Sequence, residues 1–233
     1  MTDRASSDDK PRNDHLLPVA ELLHRVRNEY ARTISFASAI AAKSSSDETK
    51  AALHDIINQM YAAAEIHSVL RPPVGEGLAD LTEVVTRLSS VMTASPEFQD
   101  RGIKLELGVE HPVLIDAGRC WRASLVVAEL INNSFRHAFA SRSGCIFVTV
   151  GDLYDRAFCT VSDDGCSAEI GGAGVGTRLM DALAAEIDGL IERRFSKSGA
   201  TVMLSFPKRA PVWRLDGFLS EQTSAASLKA PRP

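Results

Sequence analysis

The sequence predicts an α+β protein: an N-terminal antiparallel helical hairpin, then an α/β two-layer sandwich in which helices cover one face of a mixed sheet. Three observations lead there. Apolar residues recur at helical spacing from Leu16 to Leu70 with one short polar break. Beyond Pro72-Pro73 the pattern runs helix, strands, helix, hairpin, helix, hairpin. The later turns carry an Asp-x-Gly and a Gly-x-Gly-x-Gly, which mark strand ends and helix starts.

Composition narrows the class. The 233 residues suffice for one large domain or two modest ones, and 45 % hydrophobic with 24 % charged residues is ordinary for a soluble globular chain. A formal net charge of −4 argues against a bulk nucleic-acid-binding surface. No apolar run reaches the roughly 18 residues of a membrane span, and Met1–Lys10 is polar with no signal-peptide segment. Cys120, Cys145, Cys159 and Cys166 are widely spaced without a Cys-x-x-Cys, and read as reduced thiols rather than a disulfide frame or zinc site. A cytoplasmic protein without nucleic-acid or membrane partners is the expectation.

Residues 1–14 form a polar tail. The first helix follows, with Val19, Leu22, Leu23, Val26, Tyr30 and Ile34 within about 120° of one another. His24 falls about 130° from the centre of that stripe and should point to solvent among Arg25, Arg27 and Asn28. Ser44-Ser45-Ser46-Asp47 breaks the helix and caps a second one, 48–70, with Leu53, Ile56, Ile57, Met60 and Ala64 on one face. His67 shares that face and reads as a packed core histidine; His54 lies at its edge. Arg71-Pro72-Pro73 ends the hairpin. A two-helix hairpin has a single stripe to bury, so a second copy completing a four-helix bundle, a homodimer, is expected.

After a Pro/Gly linker come a helix at 78–94, short strands at 103–107 and 113–115, and a helix from an Asp116 cap to about Phe139. Strands at 145–150 and 157–162 pair around Asp152 and Asp155. Asp163-Asp164-Gly165 ends the second strand, and Gly171–Gly176 leads into a helix at 175–188 that stops at Gly189. A last hairpin, 190–195 with 201–206, turns at Ser198-Gly199, and Pro207 closes the domain. The Ser/Ala/Pro-rich tail 209–233 reads as mobile, with Trp213, Leu215, Phe218 and Leu219 suited to docking as a short helix.

The chemistry gathers on three segments. In the helix through 126–139, Glu129 and Asn133 sit four apart on one side, a carboxylate and an amide suited to a hydrated Mg²⁺ or a positioned water; the alternative is a plain solvated face. Asp163 at a strand end is an acceptor for an exocyclic amine such as that of adenine, and Gly165 lets the backbone approach the ring. Gly172, Gly174 and Gly176 before a helix form a phosphate site of free N–H groups at a dipole's positive end.

These residues resemble a known family. Glu129–Phe139 is similar to the N-box of the histidine-kinase, gyrase and MutL ATPase superfamily, Asp163-x-Gly165 to its first glycine box, and Gly172-x-Gly174-x-Gly176-Thr177-Arg178-Leu179 to its second. Gly199–Pro207 resembles the strand that ends such domains. His24-Arg25-Val26-Arg27-Asn28 resembles the His-Arg-x-x-Asn phosphoacceptor segment of bacterial sensor histidine kinases related to the HWE group. The likeness covers about residues 16–207. It implies a dimerisation and histidine-phosphotransfer hairpin at 15–73 and an ATP-binding domain at 74–208.

The resemblance further implies ATP and Mg²⁺ as cofactors, with Asn133 as metal ligand. Arg136 stands where a lysine is usual and keeps its charge. It makes His24 the phosphoacceptor, which spacing alone would leave as a surface histidine. The partner is then a response-regulator receiver domain, with a separate sensor protein supplying the signal. Arg25 follows His24 where an acidic residue is common in such kinases, so Glu129 is the candidate base and Glu29 a weaker one. The HWE group's Trp-x-Glu is missing, and only Cys166–Gly171 separate the two glycine boxes, much less than a full ATP lid. The short lid keeps an alternative open: a dimeric phosphotransfer protein that charges His24 from a response regulator without ATP. A scaffold or an anti-sigma-factor kinase is a third reading, which the histidine segment opposes.

Overall fold

The computed structural model describes residues 17–75, 77–140, 142–166 and 175–209, and the chain divides into two compact units, 1–76 and 77–233. The expected tail at 1–14 lies outside the described residues, as does that at 209–233 beyond its first residue.

The first unit is the hairpin of α1 (Leu17–Lys43) and α2 (Asp47–Val69). Ser46 caps α2, its hydroxyl accepting the Thr49 N–H at 3.3 Å. Ile34, Ala37 and Ile57 form the small core, with Leu53 and Met60 packed against it. His67 is half-buried, 3.4 Å from the Tyr30 hydroxyl, as a packed histidine should be, and His54 is exposed. Ile56 does not join the core: it is 48 % exposed, and Phe36, Ile40 and Tyr61 are also left open.

The second unit is built around one long helix. β1 (Leu78–Asp80) pairs antiparallel with β3 (Leu114–Asp116), so the helix expected from residue 78 begins only at 81. Asp80 decides this: its carboxylate accepts the Thr82 N–H, capping α3 (Leu81–Thr93), and the Val113 N–H at 3.1 Å, tying the cap to β3. α4 (Pro96–Asp100) is a short turn the periodicity did not reveal. β2 (Ile103–Val109) is an edge strand, and α5 (Ala117–His137) starts at Asp116, whose Oδ1 accepts the Arg119 N–H at 3.1 Å. Then come β4 (Gly144–Leu153), β5 (Arg156–Asp163), α6 (Val175–Glu186), β6 (Leu190–Ser196) and β7 (Gly199–Pro207). Asp152 thus lies in strand β4 rather than in the turn.

The five-stranded sheet has the order β2-β4-β5-β7-β6; β2 runs parallel to β4 and the remaining pairs are antiparallel. β5 shows the two-layer pattern, with Ala157, Cys159, Val161 and Asp163 buried and the residues between them half-covered. The buried stripe of α5, including Val126, Val127, Leu130, Ile131 and Phe135, belongs to this core.

Helices α5 and α6 run antiparallel and are clamped at one end. The buried Arg119 guanidinium donates to the Ile187 carbonyl (2.5 Å) and to Asp188 Oδ2 (2.9 Å), satisfying the end of α6, and Arg122 pairs with Glu186 at 2.5 Å. Among the described residues no helix is long and apolar enough to cross a membrane.

Burial also sets the cysteine chemistry. It pushes the Cys159 thiol up to about 12 and the Cys120 thiol up to about 11, and raises that of Cys145, whereas Cys166 is exposed. Since the thiolate is the reactive form, a disulfide reagent at pH 8 should label Cys166 first and Cys145 more slowly. Cys120 and Cys159 should react only on unfolding; fast labelling of either in the native protein would contradict the packing around α5 and β5.

Candidate functional site

The site residues gather where the C-terminal half of α5 meets the end of β5. Asp163 is 8 % exposed, and three donors converge on its carboxylate. The Ser134 hydroxyl donates to Oδ2 at 2.9 Å; the Gly165 and Ala200 N–H groups donate to Oδ1 at 3.1 and 3.2 Å. One side chain therefore joins α5, β5 and β7, and its orientation is fixed from three directions.

Glycines let these elements approach. A Cβ on Gly165 would stand 2.4 Å from the Ala138 carbonyl oxygen, which instead accepts the Cys166 N–H at 2.9 Å. A Cβ on Gly199, where φ is +133°, would stand 1.8 Å from the Asp163 carbonyl oxygen. Next door, Asp164 Oδ1 accepts the Cys145 N–H at 2.8 Å, while the Arg142 guanidinium donates to the Asp164 carbonyl.

Arg101 supports the end of α5. Its guanidinium lies 4.5 Å above the Phe135 ring and donates to the Phe135 carbonyl (2.6 Å) and the Ala140 carbonyl (3.0 Å), with Phe98 stacked on Phe135 at 4.2 Å. The first hydrogen bond satisfies a carbonyl that the helix end leaves unpaired, and the second ties down the turn that follows.

Glu129 and Asn133 are both half-buried on α5. The Glu129 carboxylate lies against the first turn of α6: a Cβ on Gly176 would stand 2.3 Å from its Oε1. A negative charge at a helix N-terminus is favourably placed. Gly176 thus meets Glu129, whereas Gly172 and Gly174 lie outside the described residues. Arg136 is exposed on the last turn of α5. His24 lies in α1, in the other unit, and its side chain is outside the described residues.

Among the described residues no group of three or more His, Cys, Asp and Glu side chains is arranged to hold a metal alone. One carboxylate and one amide suit a hard cation that keeps most of its waters and takes further oxygens from a ligand. Sequence reasoning missed Ser134, Gly199 and Arg101. The first is hidden beside Asn133, the second reads as an ordinary turn, and the third acts across 34 and 39 positions.

A family model described as "Histidine kinase" matches residues 21–95, covering most of the hairpin and all of α3. The sensor histidine kinase PdtaS of Mycolicibacterium smegmatis is 26 % identical over 198 residues, 81 % of this chain. The chain is related to the bacterial sensor histidine kinases. It spans 39 % of the length of that relative. Among solved structures, the kinase domain of the Erythrobacter litoralis blue-light activated histidine kinase superposes with a TM-score of 0.54 at 16 % identity, over 84 % of this chain and 94 % of that one. Full-length ShkA in complex with AMPPNP gives 0.52 at 17 % identity, over 84 % of this chain and 47 % of that one. The helical hairpin followed by a two-layer α/β domain is thus the histidine-kinase arrangement of folds.

The closest constraint at the site is testable. Gly199→Ala should cost about 2–5 kcal/mol, combining a left-handed backbone with a clash against Asp163. Urea unfolding reads this directly; a loss below about 0.5 kcal/mol would mean that β7 does not abut Asp163 in this way.

Proposed function

We propose that this chain is a two-component histidine kinase that transfers the γ-phosphoryl group of ATP to His24 and from there to an aspartate of a response-regulator receiver domain. The observation that carries the proposal is the fixed Asp163 carboxylate, with Gly165 drawn against α5. An acceptor held this rigidly suits an adenine amine. The full-length ShkA structure is in complex with AMPPNP, which supports nucleotide binding by a chain of this fold.

In this reading Asn133 would hold Mg²⁺ and Glu129 would orient one of its waters; the ion would supply charge neutralisation at the phosphates. Arg136 and Gly176 in the first turn of α6 would meet the phosphates, and the motif assigns Gly172 and Gly174 the same role. An imidazole nitrogen of His24 forms the N–P bond as the bond from the γ-phosphorus to the β–γ bridging oxygen breaks and ADP leaves. Glu129 is the candidate acceptor for the imidazole proton. In the second transfer the N–P bond breaks as the receiver aspartate forms its O–P bond, regenerating His24. On α1, Arg25 is already paired with Glu21 at 3.0 Å, so Arg27 is the cation on that segment better placed to meet the added charge.

The hairpin supports a second copy of the chain as its partner. Among the described residues the hairpin core of Ile34, Ala37 and Ile57 is small, while Phe36, Ile40, Ile56 and Tyr61 remain open. Packing two hairpins into a four-helix bundle would cover such residues.

Incubation with γ-labelled ATP and Mg²⁺ should give acid-labile label that His24→Gln abolishes and Asn133→Asp strongly reduces. A folded protein that takes no label, and whose melting temperature does not rise with ATP, would sink the kinase reading. Phosphotransfer from a response regulator would then be left. Sedimentation at micromolar concentration should give a dimer, and Phe36→Glu should shift it toward monomer; a wild-type monomer would remove the bundle.

A further inference from the structure

Ser134 contacts the carboxylate on which the nucleotide reading rests, and its chemistry goes further than support. A hydroxyl has one proton and two lone pairs; a carboxylate has only lone pairs. Asp163 Oδ1 already accepts two backbone N–H groups, so the Ser134 proton goes to Oδ2, at 2.9 Å. With that proton committed, what Ser134 Oγ offers its surroundings is lone pairs, and Oδ2 retains one more. Asp163 is buried and Ser134 half-buried, so neither has free access to bulk water.

We propose that Ser134 is a specificity-determining residue, forming with Asp163 a paired acceptor edge that takes the two protons of an exocyclic amine and rejects a ring carbonyl at the same position. This rests on the nucleotide reading of the site and deepens it. An amine brings one proton for Asp163 Oδ2 and one for Ser134 Oγ. A carbonyl brings only lone pairs, so Ser134 can meet it only by turning its proton away from Asp163 Oδ2, which leaves that carboxylate oxygen facing lone pairs, a mismatch that buried polar sites punish. The two backbone donors keep the carboxylate from swinging away to relieve that mismatch, so selectivity is built in before a ligand arrives. No position of this helix gains such a role from periodicity, since Ser134 looks like one more polar residue beside Asn133.

The test uses the full chain with Mg²⁺ and two probes, ATP and inosine triphosphate, which differ at the ring position that carries amine or carbonyl. Calorimetry on the wild type should show ATP bound at least about tenfold more tightly. Ser134→Ala should reduce that ratio by about three- to tenfold through weaker ATP binding, leaving inosine triphosphate unchanged. Ser134→Thr keeps the hydroxyl and should keep the ratio. Alanine is a better helix former than serine, so the variant should stay folded, and a thermal melt verifies this. If Ser134→Ala weakens both nucleotides equally, or changes neither, the paired edge is overturned while the nucleotide site stands. If the wild type binds neither probe, the nucleotide reading falls and this inference falls with it.

Discussion

Three elements distant in sequence are held together by one carboxylate. Asp163 ends β5, yet its hydrogen bonds come from α5 through Ser134, from its own turn through Gly165 and from β7 through Ala200. A buried carboxylate without such partners would be costly. With them it becomes a rigid junction between the helix layer and the sheet. The consequence is directional: the end of the domain that carries the Asp-x-Gly turn is the end where helix and strand cannot drift apart, so groups placed on α5 stay in register with groups placed on β5.

Helix α5 then acts as the ruler of the second unit. Its buried stripe joins the core, and its two ends are held by cations. Arg119 near the start satisfies the end of α6, and Arg101 reaches across from beyond α4 to satisfy carbonyls at the finish. Between these ends, Glu129 lies against Gly176 at the opposite end of α6. Two antiparallel helices fixed at one end by Arg119 and touching at the other through Glu129 form a frame.

The two units meet different energetic conditions. The second has a large apolar interior, with Leu81, Ile115, Ile131, Ile146, Leu204 and Phe206 among its fully buried side chains. Among the described residues the hairpin buries only Ile34, Ala37, Ala41, Ile57 and Leu70. Small cores contribute little net stability after chain entropy is subtracted. Its open apolar residues are accordingly the feature of that unit that calls for a partner.

Much of the architecture was legible in the residues. Helical spacing marked α1, α2 and α5; alternation marked β4, β5 and the final hairpin; Ser46 and Asp116 marked the caps where they occur. Local chemistry suffices for these because period and capping act within one or two turns. Among the candidate site residues, Glu129, Asn133, Asp163 and Gly165 could be proposed from type and order alone. What tertiary structure decided was who meets whom. Asp80 turned three expected helical residues into a strand by bonding to Val113, 33 positions away. Ser134, 29 positions from Asp163, became its partner, and Gly199 proved necessary because the Asp163 backbone runs against it. A sequence shows which groups a chain carries and which local shapes they favour. Contacts between distant segments depend on how layers stack, and no local pattern encodes that.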